Sequence, residues 1–276
     1  MRSPLLVLLL LALGCAASND AIAPQRIVFP HQWKGVFELP DFPEPSGAVY
    51  HPERETLFIV GDEGDIMELH RDGRVAHHVM LDEGRDLEGI TFDPATDLLY
   101  VAVEGEERIL EVDPDALAIR RTFTIERTYQ DQLRMHPDDN GLEGIAFIPN
   151  PKHPEGGVFI VAHQSFTLDN PEEPSALMRV EAPLRTSRAA EAEARIVGML
   201  EIPIIDMSGL HYDAERDLLY ALSDAHNVVL TVNSSGQIIE TRAFPGDEQE
   251  GMAVDGDDFI YIAQDTGGVL KVKWER

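Results

Sequence analysis

One short phrase recurs five times along this chain, and it constrains the fold more than any other feature. Each copy has a polar approach, a glycine that opens a short apolar strand, a turn, and a second apolar strand. The five glycines are Gly47, Gly89, Gly144, Gly209 and Gly251. A recurring strand pair indicates a repeat architecture, which gathers equivalent positions of all copies in space. We number the copies as units one to five.

The spacing of the glycines indicates the size of a unit. Successive glycines are 42, 55, 65 and 42 residues apart, and a four-stranded propeller blade takes about 40–45 residues. Unit five ends after its third strand, at residues 269–272, and residues 35–39 can supply the missing one. Such a ring leaves no open seam. The sequence therefore predicts an all-β fold: a five-bladed β-propeller of four-stranded blades, closed by an N-terminal strand that completes the last blade.

Three inserts lengthen the middle of the chain. Residues 126–140 and 165–175 lie at the top face, which we define as the face where the first strand of a unit begins and the second ends. Inserts there could overhang the central opening. Residues 182–194 lie at the opposite face, and their Ala, Glu and Arg content predicts a short helix.

The N-terminus has the pattern of an export signal. Arg2 precedes nine apolar residues at positions 5–13, which matches the roughly 7–15 residues of a signal-peptide core. The sequence around Cys15 resembles a lipobox; cleavage near residues 16–17 is the alternative. We predict a signal at 1–20, a tether at 21–32 and the propeller domain at 33–276. Lipidation of Cys15 would place the protein on the periplasmic side of a bacterial envelope. Ala16 favours the outer over the inner membrane.

The charge of the chain selects its partners. A formal net charge of −28 and a pI near 4.5 repel nucleic acid and anionic lipid. Contact with a membrane is therefore expected only through the lipid anchor, and cations are favoured as ligands. We expect a monomer.

Acidic residues recur at three positions of the repeat on the top face. The second strands end at Asp62, Glu104, His163, Asp224 and Asp265. Immediately before the glycines lie Ser46, Glu88, Glu143, Ser208 and Glu250. Two residues earlier lie Glu44, Asp86, Gly141, Asp206 and Glu248, and Asn140 adds an amide.

These positions bring 11 carboxylates to one rim. Like charges at close range raise one another's pKa unless a cation compensates them. Calcium accepts six to eight oxygen ligands in irregular geometry, whereas zinc prefers His and Cys, so Ca²⁺ is the predicted ion. The alternative is that each acid only caps a turn.

The segments Asp86-Leu87-Glu88-Gly89, Asn140 to Ala146, Asp206 to Gly209 and Gln249 to Ala253 resemble those of the SdiA-regulated (YjiK-like) proteins. The resemblance covers residues 33–274. It implies an exported or membrane-tethered five-bladed propeller, distantly related to NHL-repeat proteins, with a calcium site and no established activity. On position, the metal ligands would be Glu44, Glu88, Glu143, Asp206, Asp224 and Glu250.

Two classes of function remain open. The first is a calcium-binding module or scaffold of the cell envelope, whose top face presents a site to a small molecule, a glycan or a protein. The second is a calcium-dependent hydrolase of the lactonase or esterase kind, with His163 as a candidate base. The chain has no G-x-S-x-G or H-E-x-x-H motif, so the binding module is preferred.

Overall fold

The computed structural model describes residues 28–39, 41–135, 141–164, 175–246 and 248–275. Within these ranges the chain forms strands and turns without a helix, which confirms the predicted all-β class. The short helix predicted within residues 182–194 is wrong, because a strand begins at Glu191. Residues 1–20, Cys15 and most of the tether lie outside the described residues.

The described part of the chain contains twenty-two strands. The first is β1 (His31–Phe37), and unit one then contains β2 (Pro45–His51), β3 (Thr56–Gly61), β4 (Asp65–His70) and β5 (Val75–Met80). Unit two contains β6 (Leu87–Phe92), β7 (Leu99–Val103), β8 (Arg108–Asp113) and β9 (Ala118–Glu126). A hairpin follows, β10 (Thr128–Tyr129) and β11 (Gln132–Leu133).

The remaining units repeat this order. Unit three contains β12 (Leu142–Pro149), β13 (Gly157–His163), β14 (Ala176–Glu181) and β15 (Glu191–Glu201). Unit four contains β16 (Met207–Asp213), β17 (Leu218–Ser223), β18 (Val228–Asn233) and β19 (Ile238–Ala243). Unit five contains β20 (Gln249–Val254), β21 (Phe259–Gln264) and β22 (Val269–Trp274).

Each unit is an antiparallel sheet whose strands pair in sequence order. In unit five the fourth place is taken by β1, which pairs antiparallel with β22 from His31↔Trp274 to Phe37↔Val269. Units two and three share one eight-stranded sheet, because the first half of β15 also pairs in parallel with β9.

Apolar clusters lie between successive sheets. The clusters join unit one to two, two to three, three to four, four to five, and five back to one. Each side chain buried in this way contributes about 1.5–3 kcal/mol. Their largest members come from the middle strands, for example Phe58, Tyr100, Phe159, Tyr220 and Tyr261.

The first strands of the five units are neighbours in a circle. β2 contacts β6 and β20, β6 contacts β12, β12 contacts β16, and β16 contacts β20. The repeated glycines make this approach possible: a Cβ on Gly89 would lie 2.5 Å from the carbonyl oxygen of Glu143. The equivalent distances for Gly47, Gly144, Gly209 and Gly251 are 2.6, 2.3, 2.2 and 2.4 Å. At each contact the backbone of one unit lies against the glycine of the unit before it.

We predict that Gly89→Ala destabilises the protein by about 1–3 kcal/mol or more, because an added methyl overpacks a rigid backbone contact. Urea unfolding in the presence of EDTA measures the loss. The control is Gly256→Ala, where a Cβ has no atom within 4 Å. Equal unfolding midpoints for the two variants would contradict the importance of the close approach.

Candidate metal centre at the acidic rim

A repeated backbone hydrogen bond builds the rim. In each unit, the residue after the second strand donates its N–H to the carbonyl of the residue three before the glycine. The donor and acceptor pairs are Asp62 to Glu44, Glu104 to Asp86, Gln164 to Gly141, Asp224 to Asp206, and Asp265 to Glu248, at 3.4, 3.0, 2.9, 3.1 and 3.0 Å. The repeat predicted from the sequence therefore has one geometry in all five units.

Unit three departs from the predicted alignment by one residue. Gln164, rather than His163, makes the rim hydrogen bond, and His163 instead pairs with Leu142 inside the sheet, as Val103 pairs with Leu87 in unit two. His163 is 2% exposed. The count from the aromatic residue failed because Phe159 occupies the place of Leu99, not that of Tyr100. The rim position predicted for His163 thus belongs to Gln164.

A bulge in every first strand turns the rim side chains inward. The register of the first two strands shifts at Pro45/Gly47, Leu87/Ile90, Leu142/Ile145, Met207/Leu210 and Gln249/Gly251. Bulges re-aim side chains and are common next to functional sites. Glu44, Asp206 and Glu248 also have positive φ angles, of 48°, 60° and 48°, a strained conformation that surrounding structure must hold.

Two groups of close carboxylates share Asp62. One oxygen each from Glu44, Asp62 and Asp265 lies within 4.8 Å of the others, and the same holds for Asp62, Asp86 and Glu88. Asp62 also accepts a hydrogen bond from the hydroxyl of Ser46. These two overlapping groups define what we call the Asp62 cluster: Glu44, Asp62, Asp86, Glu88 and Asp265.

The electrostatics of the cluster disfavour ionised carboxylates. Burial raises the pKa of Asp62 to about 7, the hydrogen bond from Ser46 opposes the rise, and Asp86, Asp265 and Glu44 add to it. Burial, followed by the charge of Asp86, raises the pKa of Asp265 as well.

Glu143 and Glu250 face the same mouth as Glu88 of the cluster, and all three have raised pKa values. Burial together with the charges of Glu143 and Asp62 raises the pKa of Glu88 well above its ordinary value. The pKa of Glu143 rises through burial and the nearby Glu104, and that of Glu250 through burial and Asp224. A cation would relieve all these repulsions together.

The six ligands predicted from the sequence fall into two groups. Glu44 and Glu88 belong to the Asp62 cluster, Glu143 forms a side-chain hydrogen bond with Glu88, and Glu250 is linked to the cluster by charge. Asp206 instead accepts hydrogen bonds from the side chain of Gln164 at 2.6 Å and from the N–H of Ala225 at 2.9 Å. Asp224 accepts one from the N–H of Gln249 at 2.9 Å. Their role as ligands stays a prediction.

The sequence predicted that Asp62, Asp86 and Asp265 lie at the rim, but these residues were not among the six predicted metal ligands. The sequence did contain a signal for them: Asp62 and Asp265 each follow the second strand of their unit, and Asp86 lies three residues before Gly89. What the sequence lacked was the distances between side chains, which bring Asp62 close to acids of units one, two and five.

The donor set fits a hard divalent cation. Ligand oxygens lie about 2.3–2.6 Å from Ca²⁺, so two oxygens on one ion are at most about 5 Å apart. The oxygens of each group of three in the cluster lie within 4.8 Å of one another, close enough to share an ion. Among the described residues, Oδ1 of Asp86 and Oδ1 of Asp265 are buried without a hydrogen-bond partner. Such orphaned acceptors are costly unless an ion or a water satisfies them.

Below the rim, the circle of glycines narrows the central opening. A cavity of about 10 Å³ lies there, lined by Gly47, Gly89, Gly144, Gly209, Gly251 and their neighbours. This volume is close to the minimum that holds one water molecule. A solute at the rim therefore has no wide passage through the ring at this level.

Similar solved structures define the class of the fold. The chain aligns with glutaminyl cyclase from Myxococcus xanthus at a TM-score of 0.61 and 14% identity, covering 90% of this chain and 98% of that one. It also aligns with streptogramin B lyase at a TM-score of 0.49 and 11% identity, covering 89% and 98%. The first likeness shows that the fold is a β-propeller.

The family follows from the sequence. The sequence model of the SdiA-regulated family matches residues 42–266, which include all five repeats. The chain belongs to the SdiA-regulated family, and the resemblance noted above is confirmed. No curated protein sequence matches it. Within the described ranges there is no helix long and apolar enough to cross a membrane.

The raised pKa of Asp62 gives a signed pH dependence. Without a cation, the folded state keeps a proton up to about pH 7, whereas the unfolded state loses it near pH ~3.9. The contribution of Asp62 to stability is therefore complete below about pH 4 and is lost as the pH rises to 7. In EDTA we expect Asp62→Asn to be the more stable protein at pH 8, by about 1–2 kcal/mol after allowance for solvent screening.

Urea unfolding of both proteins between pH 4 and 8 measures this difference. The control is Glu193→Gln, which removes an exposed acid of unit three. Its difference from the wild type in the free energy of unfolding should not change with pH. A flat curve for Asp62→Asn would contradict the burial of its charge.

Proposed function

We propose that this chain is a five-bladed propeller, closed by β1 in the last blade, whose acidic rim binds Ca²⁺. The circle of contacts among five first strands supports the number of blades. The pairing of β1 with β22 supports the closure. The chain would thus present one rim to which all five blades contribute.

The observation that carries the metal proposal is the Asp62 cluster. Within each of its two groups of three, the oxygens are close enough to share one ion. Asp62, Asp265 and Glu88 have raised pKa values, and Asp86 and Asp265 have orphaned acceptors. The ligands would come from Glu44, Asp62, Asp86, Glu88 and Asp265, with Glu143 directly beside Glu88 and Glu250 neutralised at longer range. Calcium would supply positive charge that holds these blades together at the top face.

The function that we propose is a binding or scaffold module. Its rim would engage a small molecule, a glycan or a protein on the top face, around the metal. The narrow opening below the rim favours this role over a deep reaction pocket. The burial of His163 removes the candidate base of the hydrolase alternative from the rim position.

The place of action that we propose is the periplasmic side of the bacterial envelope, with a lipid anchor at Cys15. The sequence of residues 1–20 supports this proposal. A single acyl chain gives only marginal membrane binding, so a lipoprotein with several chains would be held firmly.

Calcium should stabilise the protein. At 100 times its dissociation constant, a ligand bound only by the folded state adds about 2.7 kcal/mol, so the melting temperature should exceed that in EDTA by several degrees. Asp62→Asn should remove most of the shift, whereas the control Glu193→Gln should keep it. Identical melts of the wild type with calcium and with EDTA would refute the metal site.

The anchor has a separate test in a bacterial host. Cys15→Ser should abolish the incorporation of labelled palmitate and move the protein from the membrane fraction to the soluble fraction. Ser18→Ala is a matched change nearby that should alter neither. Membrane retention of the Cys15→Ser protein would rule out the lipid anchor while leaving the calcium proposal intact.

A further inference from the structure

The insert of unit three forms one wall of a second cavity. A cleft of about 480 Å³ lies between units two and three, lined by the turn from β6 to β7, by β9, and by the connection from β14 to β15. Turns of this kind lie at the end of the strands away from the rim, so the cleft opens on the face opposite the metal centre. We call it the arginine cleft: Asp93, Thr96, Leu98, Tyr100, Glu111, Arg120, Arg121, Leu184, Arg185 and Arg188.

The charge of the arginine cleft is opposite to that of the whole chain. Four arginines and two acids line it, a formal charge of +2 within a protein of net charge −28. The chain has 22 basic residues in all, and four of them meet here. Such a local reversal favours an anionic ligand at this place.

One arginine is structural and fixes the wall. Arg121 is 9% exposed, and its Nε donates to Oε1 of Glu111 at 2.9 Å. It also donates to the carbonyl oxygens of Leu184 and Ser187, at 2.9 and 3.0 Å. Arg121 therefore holds the connecting segment that carries Arg185 and Arg188.

A second anchor holds the same segment from unit three. The carboxylate of Glu155 accepts hydrogen bonds from the N–H groups of Arg185 and Thr186, at 2.6 and 3.1 Å. The guanidinium of Arg185 lies over Gly156, where a Cβ would come within 2.1 Å of it. The segment is thus fixed on both sides, which reduces the entropy lost when a ligand binds.

The other three arginines keep hydrogen-bonding capacity. Arg185 forms an ion pair with Asp93 at 3.7 Å and Arg120 one with Asp113 at 3.5 Å. A guanidinium has five N–H donors, so each arginine keeps further donors for a ligand. Arg188 is exposed, and among the described residues it has no carboxylate within 4.0 Å. Guanidinium groups bind phosphate and carboxylate through paired, charge-assisted hydrogen bonds.

Apolar side chains form part of the floor of the arginine cleft. Tyr100 and Leu184 are buried and Leu98 is half-buried. A volume near 480 Å³ is within the range of about 300–1,000 Å³ that holds small molecules. A concave floor with guanidinium groups at its border fits an organic anion better than an extended acidic chain.

We propose that the arginine cleft binds a small organic anion through a phosphate or carboxylate group held by Arg185, Arg188 and Arg120. The apolar part of the ligand would lie on Leu98, Leu184 and the edge of Tyr100. This site is separate from the rim and does not depend on the proposed calcium function.

Calorimetric titration in EDTA tests the proposal, with three probes at constant ionic strength: inorganic phosphate, phenyl phosphate and succinate. We expect saturable 1:1 binding of phenyl phosphate or of succinate. The probe that binds more tightly shows whether the arginine cleft prefers a phosphate or a carboxylate group. Inorganic phosphate should bind more weakly than phenyl phosphate, because it lacks the apolar part. The double variant Arg185→Gln/Arg188→Gln should weaken binding by about tenfold or more, because it removes the charge-assisted hydrogen bonds of two guanidinium groups to the anion.

The control is Arg74→Gln, which changes the same charge at an exposed site of unit one and should bind as the wild type does. Arg120→Gln is a second variant at an exposed position, and it should weaken binding as well. Wild-type melting curves in EDTA would show that the variants fold. Absence of saturable binding of all three probes, or binding unchanged in both arginine variants, would overturn the proposal.

Discussion

The five backbone contacts at the repeated glycines are the constraint on which the rest of this structure depends. At each contact, a carbonyl oxygen of one unit lies within 2.2–2.6 Å of the position that a Cβ would occupy on the glycine of the preceding unit. Only glycine allows such an approach. Because the first strands are this close, the apolar faces of adjacent sheets meet outside them and form the clusters that stabilise the fold. The glycines therefore set the radius of the ring.

A small radius has an electrostatic consequence. The residues that precede each glycine are brought together with the glycine itself, and three of the five are Glu88, Glu143 and Glu250. Burial raises the pKa of all three. The same compact ring that allows good packing thus gathers negative charge at its mouth. A bound cation would offset that charge, and so the packing and the metal proposal have one physical origin.

Much of this fold could be predicted from the sequence because the repeat is local. Gly, the turn signals and the alternation of apolar residues lie within about forty residues, so they identify the strands and the common face of the acids. The misplacement of His163 arose where a tertiary register overrode the pattern: an aromatic residue occupies an aliphatic position in β13. The helix expected within residues 182–194 failed for a related reason. Its helix-favouring residues pair with β9, a partner that no local propensity reveals.

The segment that forms in place of the expected helix helps to explain why the two faces differ in charge. Residues 182–194 form the connection from β14 to β15 and the first residues of β15. As a segment bound to Arg121 and a strand paired with β9, they reach unit two and bring Arg185 and Arg188 against it. A strand of six residues separates this face from the rim by about 20 Å, well beyond the Debye length of about 8 Å at physiological salt. The acids of the rim are therefore largely screened from the arginine cleft. A protein of high negative charge can in this way hold a cation at one face and an anion at the other.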